Sequence, residues 1–195
     1  MMSSPRVPKA EMSGPSAYLM KSFSRRMLGE VPEPLGTYWH NRRVLKTMFG
    51  IQRKADKWNE CEKSLKTFAH MAVVAQVGCC FCLDLGYFMA HREKLDEAKA
   101  REVPRWRDSD AFTPLECDVM EYAEAMTQTP SAVTDALSAR LLDALGPAAL
   151  VELTAFIALA NVPARMNTAL GIESQGFSKV CELPLAEPSR AATPA

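Results

Sequence analysis

Cys79-Cys80-Phe81-Cys82 follows Gly78 and an apolar stretch, and it is the part of this chain whose residue types and spacing could do chemistry. If residues 79 to 91 are helical, Cys79 and Cys82 share a face and lie close enough to close a disulfide. A thiol in the first helical turn meets unpaired backbone N–H groups and the positive end of the helix dipole, which favour thiolate, the nucleophilic form. Oxidation of one sulfur to a sulfenic acid lets the other condense with it, releasing water and leaving a disulfide that an external dithiol must reopen. Dipole logic points to Cys79 as the thiolate, being nearer the helix start. On spacing alone the same cysteines could be small core side chains, since free cysteine is commonly buried.

Metal and haem chemistry fit less well. A structural zinc site needs four ligands, and Cys61, Cys117, Cys181, His40, His70 and His91 are scattered singly along the sequence, so no metal is expected. Leu83 rather than histidine follows the pair, which excludes covalent haem attachment; no other cofactor is expected. Cys80 lies about 100° around the helix from Cys79 and reads as packing.

The elements that must position the pair read as helices. Residues 17 to 28 form a short basic helix candidate stopped near Gly29, and residues 37 to 55 hold one or two more. Residues 60 to 77 carry Leu65, Ala69, Val73 and Val77 four apart, with Phe68 and Ala72 on the adjoining ridge. Thr113-Pro114-Leu115-Glu116 combines a hydroxyl cap, proline at the first helical position and glutamate at the third, a capping box that opens a helix to about 127. Thr134 caps another, carrying Leu137, Leu141 and Leu145 and ended by Gly146; an apolar helix over 147 to 161 is expected to run on past Pro163, with a kink there, to about Leu170. No stretch alternates with period two for long. The expected fold is all-α: a flexible segment 1–16, a single helical domain 17–183, and a flexible tail 184–195.

Composition narrows the setting. The 23 basic and 23 acidic side chains cancel, leaving no electrostatic footprint for nucleic acid or an anionic membrane. No apolar run reaches about 18 residues, and residues 1 to 30 lack a signal-peptide core, so the expected location is the cytoplasm. Six cysteines are normally reduced there, and a close pair is catalytic or metal-binding more readily than structural.

The run from Leu65 to Asp84 through Val77-Gly78-Cys79-Cys80-Phe81-Cys82-Leu83 resembles the alkylhydroperoxidase D and carboxymuconolactone decarboxylase superfamily. Phe112 to Glu116, Tyr122-Ala123-Glu124, Leu150 to Thr154, and Asn161, Arg165, Asn167, Leu170 and Gly171 continue the likeness over about residues 30 to 181. It implies an alkylhydroperoxidase D-like helical bundle that assembles into homo-oligomers and, in the peroxidase branch, reduces hydroperoxides through two cysteines, with the second attacked by peroxide. It also implies a proton relay: a glutamate twelve residues before the first cysteine and a histidine four after the second. Here those positions hold Thr67 and Gly86. General acid–base help is worth roughly 10² to 10⁴ in rate. His70, one turn beyond Thr67, is a candidate replacement in the relay, against the alternative of a packed, backbone-bonded histidine.

The resulting expectation is a peroxiredoxin-type antioxidant oxidoreductase. It would act through Cys79 and Cys82, with a hydroperoxide substrate and a dithiol or protein-thiol reductant, and without nucleic acid or membrane partners. Two other readings stand beside it. One is a redox-responsive binding or scaffold protein with little turnover; the other is the lactone decarboxylase of the superfamily's name, which does not depend on such a pair. Arg165 and Asn167 could line the cysteine pocket or an interface, or serve capping and ion pairing. Residues 174–178 form a polar, glycine-bearing turn with no phosphate-loop signature.

Overall fold

Capping chemistry sets several helix ends in the computed structural model, which describes residues 5–187. Helices α1 (Pro15–Leu28), α2 (Glu33–Tyr38) and α3 (Arg42–Ala55) form an N-terminal layer; α4 (Lys63–Val77) and α5 (Cys80–Arg92) carry the cysteine motif between them. A single turn, α6 (Glu97–Ala100), leads by a 3₁₀ segment to α7 (Pro114–Thr127) and the long α8 (Asp135–Ala169). No strand occurs among the described residues, as the sequence periodicity predicts. A 3₁₀ turn at 39–41 joins α2 to α3, and the short elements at 97–100, 103–108 and 177–180, too brief for a periodicity argument, were not anticipated.

The capping box at Thr113 forms in full: its hydroxyl accepts the Glu116 N–H, and the Glu116 carboxylate accepts the Thr113 N–H at 2.7 Å. Thr134 caps α8 through the Leu137 N–H. Gly146 takes φ 75°, ψ 168°, and Pro147 starts the second section of α8, which passes Pro163 and ends one residue before Leu170.

Helices α4, α7 and α8 pack around the main core, where Phe68, Met71, Val73, Tyr87, Val119, Met120, Leu137, Leu141, Leu153 and Ile157 are fully buried. The four-residue stripe on α4 falls inside it. By length and composition α8 could cross a membrane, its best window having a mean hydropathy of 1.7. It breaks at Gly146 and buries Leu141, Leu153, Ile157 and Ala164 against the bundle, with 28% of its most apolar window buried.

Glu152 of α8 and Lys66 of α4 form a buried ion pair at 2.6 Å in this core. The carboxylate also accepts the Glu60 and Cys61 N–H groups, and the ammonium donates to the Trp58 carbonyl, so both charges keep partners once out of water.

Residues 5–14, which composition alone suggests are a flexible lead-in, make defined contacts. Arg6 N–H donates to the Leu170 carbonyl at 2.9 Å, Ala10 N–H to the Gly36 carbonyl at 3.1 Å, and Lys9 pairs with Glu33. Backbone hydrogen bonds of this kind leave no periodic trace in sequence. At the other end Ala186 N–H donates to the Arg101 carbonyl, while residues 188–195 of the expected tail lie outside the described residues.

Candidate functional site

Two helix-end motifs meet at Gly78 and Cys79. Cys79 N–H donates to the Val74 carbonyl at 2.9 Å and Gly78 N–H to the Ala75 carbonyl at 3.0 Å, a Schellman ending of α4. Gly78 sits at φ 75°, ψ 27°, a left-handed conformation that costs a residue without a Cβ little. The next residue is already the cap of α5: the Cys79 sulfur accepts the Cys82 N–H at 3.4 Å. A thiol thus stands where serine or aspartate usually caps a helix.

Cys79 and Cys82 are both free thiols, 2% and 6% exposed, in a second apolar cluster with Val74, Phe81, Phe88, Ala164, Ile172 and Phe177. The Cys79 thiol is pulled down to about 7. The adjacent Cys82 thiol, donating a hydrogen bond, is the largest influence, and the Cys82 N–H, Thr168 and Asn167 add to it against the opposing effect of burial. Cys82 is driven strongly the other way, first because its proton is committed to Cys79, then by burial and by the charge that Cys79 acquires. The two thiols titrate as one coupled pair, with Cys79 pushed down and Cys82 pushed up. Cys80 is exposed, so it does not pack against a neighbour as the sequence suggests; its angular offset carries it off the face of the pair into solvent.

The pair has polar neighbours from both ends of the chain. Asn167, 2% exposed on α8, donates from Nδ2 to the Cys82 sulfur at 3.2 Å, and the Tyr38 hydroxyl donates to Asn167 Oδ1 at 2.6 Å. That second bond fixes the amide's orientation, so its N–H side faces sulfur. Burial, with the nearby cysteines, raises the phenol far above its usual range, so Tyr38 is a neutral donor. Asn167 carried a sequence signal within the C-terminal likeness. Tyr38 carried none, since nothing in a short helix ending 41 residues upstream of Cys79 marks it as a neighbour. Arg165, grouped with Asn167 in the sequence, parts from it here: its guanidinium donates to the Thr127 carbonyl and to Asn161, tying α8 to the end of α7.

Thr67 and Gly86, where the likeness called for relay groups, have structural roles. The Thr67 hydroxyl donates to the Lys63 carbonyl one turn back. Gly86 is buried under the His70 ring: a Cβ there would lie 3.2 Å from Nδ1 and 3.3 Å from Cε1. Gly86 shares a helix face with Cys82, which puts His70 one turn along from the dithiol. Burial lowers the imidazole to about 4, leaving it neutral, and no hydrogen bond joins it to either motif cysteine among the described residues.

The turn at 174–178 closes over α5 through Asp84. Its Oδ2 accepts from the Ser174 hydroxyl and the Gly176 and Phe177 N–H groups, and its Oδ1 from the Ser178 N–H and hydroxyl, at 2.6–2.9 Å. Burial works against the charge, but these bonds outweigh it and hold the carboxyl below its ordinary value. Phe177 follows into the cysteine cluster against Phe81 and Phe88. Gln175 of the same turn accepts the Glu33 N–H at 2.6 Å, linking it to the start of α2 and so towards Tyr38.

No family model matches the sequence. The uncharacterized protein YnjA of Escherichia coli K12 is 36% identical over 165 residues, 81% of this chain and 87% of its own length. Among solved structures, the alkylhydroperoxidase AhpD core of an uncharacterized peroxidase-related protein from Ralstonia eutropha JMP134 has a TM-score of 0.79 at 17% identity, covering 92% of this chain and 97% of the other. The apo debrominase Bmp8 has a TM-score of 0.78 at 19% identity, with coverage of 92% and 96%. With 36% identity over most of both chains, this chain belongs to the family of YnjA, and its helical fold is alkylhydroperoxidase D-like.

Proposed function

We propose that the protein is a dithiol oxidoreductase that reduces small hydroperoxides through Cys79 and Cys82. The observation that carries this reading is the cap position of Cys79, whose sulfur accepts the Cys82 N–H beside the Cys82 thiol. Cys79 is accordingly the attacking sulfur, reversing the order that the resemblance implied.

The pair can manage its own protons, which bears on the absent glutamate and histidine. Cys79 thiolate attacks the terminal peroxide oxygen, the O–O bond breaks, and Cys79 becomes a sulfenic acid as the alkoxide leaves. The alkoxide takes the proton of the adjacent Cys82 thiol. The Cys82 thiolate so formed attacks the sulfenic sulfur, the S–O bond breaks, and the hydroxide expelled becomes water with a solvent proton. In sum, one hydroperoxide and two thiols give an alcohol, water and a disulfide, which an external dithiol or protein thiol reduces in a two-electron exchange. Asn167, braced by Tyr38, positions the Cys82 sulfur through these steps and does not itself carry protons. Burial of both sulfurs favours small peroxides over bulky ones. The proposal extends to a homo-oligomer working in the cytoplasm, as the resemblance implies.

A coupled assay with a dithiol reductant tests it. Hydrogen peroxide should be consumed faster than cumene hydroperoxide, and Cys79→Ser and Cys82→Ser should each abolish turnover. Unchanged activity in both variants sinks the proposal. Stoichiometric oxidation without turnover, with a disulfide too stable for the reductant to reopen, would favour the redox-responsive scaffold instead.

A further inference from the structure

Read along the sequence, the cysteines and histidines outside the motif look scattered, but the fold gathers two of them with a carboxylate. His91 lies in the last turn of α5, Glu97 opens α6, and Cys181 follows the 3₁₀ turn at 177–180. Their ligand atoms, one imidazole nitrogen, one carboxylate oxygen and one sulfur, all lie within 4.8 Å of one another. From these we infer a binding site for zinc at His91, Glu97 and Cys181, independent of the dithiol reaction.

The donor set fits that ion. Nitrogen, oxygen and sulfur together suit a borderline cation and not magnesium or calcium, which take oxygen alone. Bond lengths of about 2.0 to 2.3 Å in a tetrahedron place neighbouring ligand atoms about 3.3 to 3.8 Å apart, so the three groups need small movements only. All three residues are partly exposed, which leaves an entry path and a fourth position for water.

The surroundings orient the ligands. Glu97 Oε1 accepts the Leu183 N–H at 2.9 Å and meets the Tyr87 hydroxyl at 3.3 Å, which leaves Oε2 turned to His91 Nδ1 at 2.7 Å. An ion would replace that hydrogen bond by coordination from both atoms. Tyr87 is buried in the core and also reaches the Leu183 carbonyl, so the carboxylate is braced from behind in the way outer groups steady metal ligands. The bound ion would fasten the C-terminal segment to the far end of the helix whose first turn carries the dithiol.

The test uses the full chain with Cys79, Cys80 and Cys82 changed to Ser, so that the motif thiols do not compete, titrated anaerobically with Co²⁺ as the probe. One equivalent should bind with a thiolate-to-cobalt charge-transfer band in the near ultraviolet, and Zn²⁺ should displace it. In the same background Cys181→Ser should abolish the band. His91→Gln should weaken binding by tenfold or more, with circular dichroism confirming that each variant is folded. A folded protein without the band, or a band indifferent to Cys181→Ser, overturns the inference. If the triple variant does not fold, zinc equivalents bound by the wild-type chain and by Cys181→Ser decide it: one fewer in the variant supports the site, and equal numbers overturn it.

Discussion

The His70 imidazole crowds the open side of Gly86, with Nδ1 only 3.2 Å from where a Cβ would stand. The two positions are sterically complementary: a histidine at 86, which the family likeness calls for, and a histidine at 70 cannot both fit without rearrangement.

Gly86→His should therefore destabilise the protein by about 1 to 3 kcal/mol through overpacking. His70→Ala in the same chain should recover much of that loss, because it vacates the volume. Urea midpoints of the two single variants and the double variant would show the coupling. Strict additivity would mean that the His70 ring swings clear of α5 at little cost.

His70 also sets a pH dependence. Its folded value of about 4 lies below its ordinary 6.5, so between these values the unfolded chain binds a proton that the native chain does not. Stability therefore falls as pH drops from about 6.5 towards 4, with a contribution of up to about 3 kcal/mol. His70→Gln should flatten that part of the stability profile.

The ionisation of Cys79 can be read directly from alkylation. Its rate with iodoacetamide should rise with pH up to about 7 and then level off, whereas an ordinary thiol would keep rising to about 9. Asn167→Ala should shift the profile upward and slow the reaction by about tenfold or less, the worth of one hydrogen bond to sulfur. Tyr38→Phe should act in the same direction and more weakly, because Asn167 stays but its amide is freed to turn. A Tyr38→Phe effect exceeding that of Asn167→Ala would show that the tyrosine touches the chemistry by another route.

Lys66→Met should cost about 3 to 5 kcal/mol by leaving Glu152 charged and unpaired in the core. Lys66→Met with Glu152→Gln should cost much less, since no charge remains buried. Thermal melts of both variants make the comparison, and equal losses would mean that the carboxylate finds water when its partner goes.

Much of this architecture was legible in advance for local reasons. The box at Thr113, the cap at Thr134, the glycine before Cys79 and the four-residue stripe on α4 are all decided within a few residues of themselves. The sulfur pair was legible because its spacing lies within one helical turn. Tyr38 was not, because its part in the site depends on how α2 lies against α8, and no short segment encodes that. Nor was the role of Asp84, which in sequence is simply a polar residue two places after Cys82. The gathering of His91, Glu97 and Cys181 depends likewise on where the chain end returns. Gly86 is the instructive case: its deviation from the family pattern was visible at once, but its reason, the ring of His70, needed three dimensions.

The clamp on Asp84 couples two distant stretches of chain. Its carboxylate holds the turn at 174–178 against α5, two residues from Cys82, and Phe177 of that turn packs in the cysteine cluster. Loosening the turn would therefore uncover the sulfurs while leaving the local contact between Cys79 and Cys82 in place.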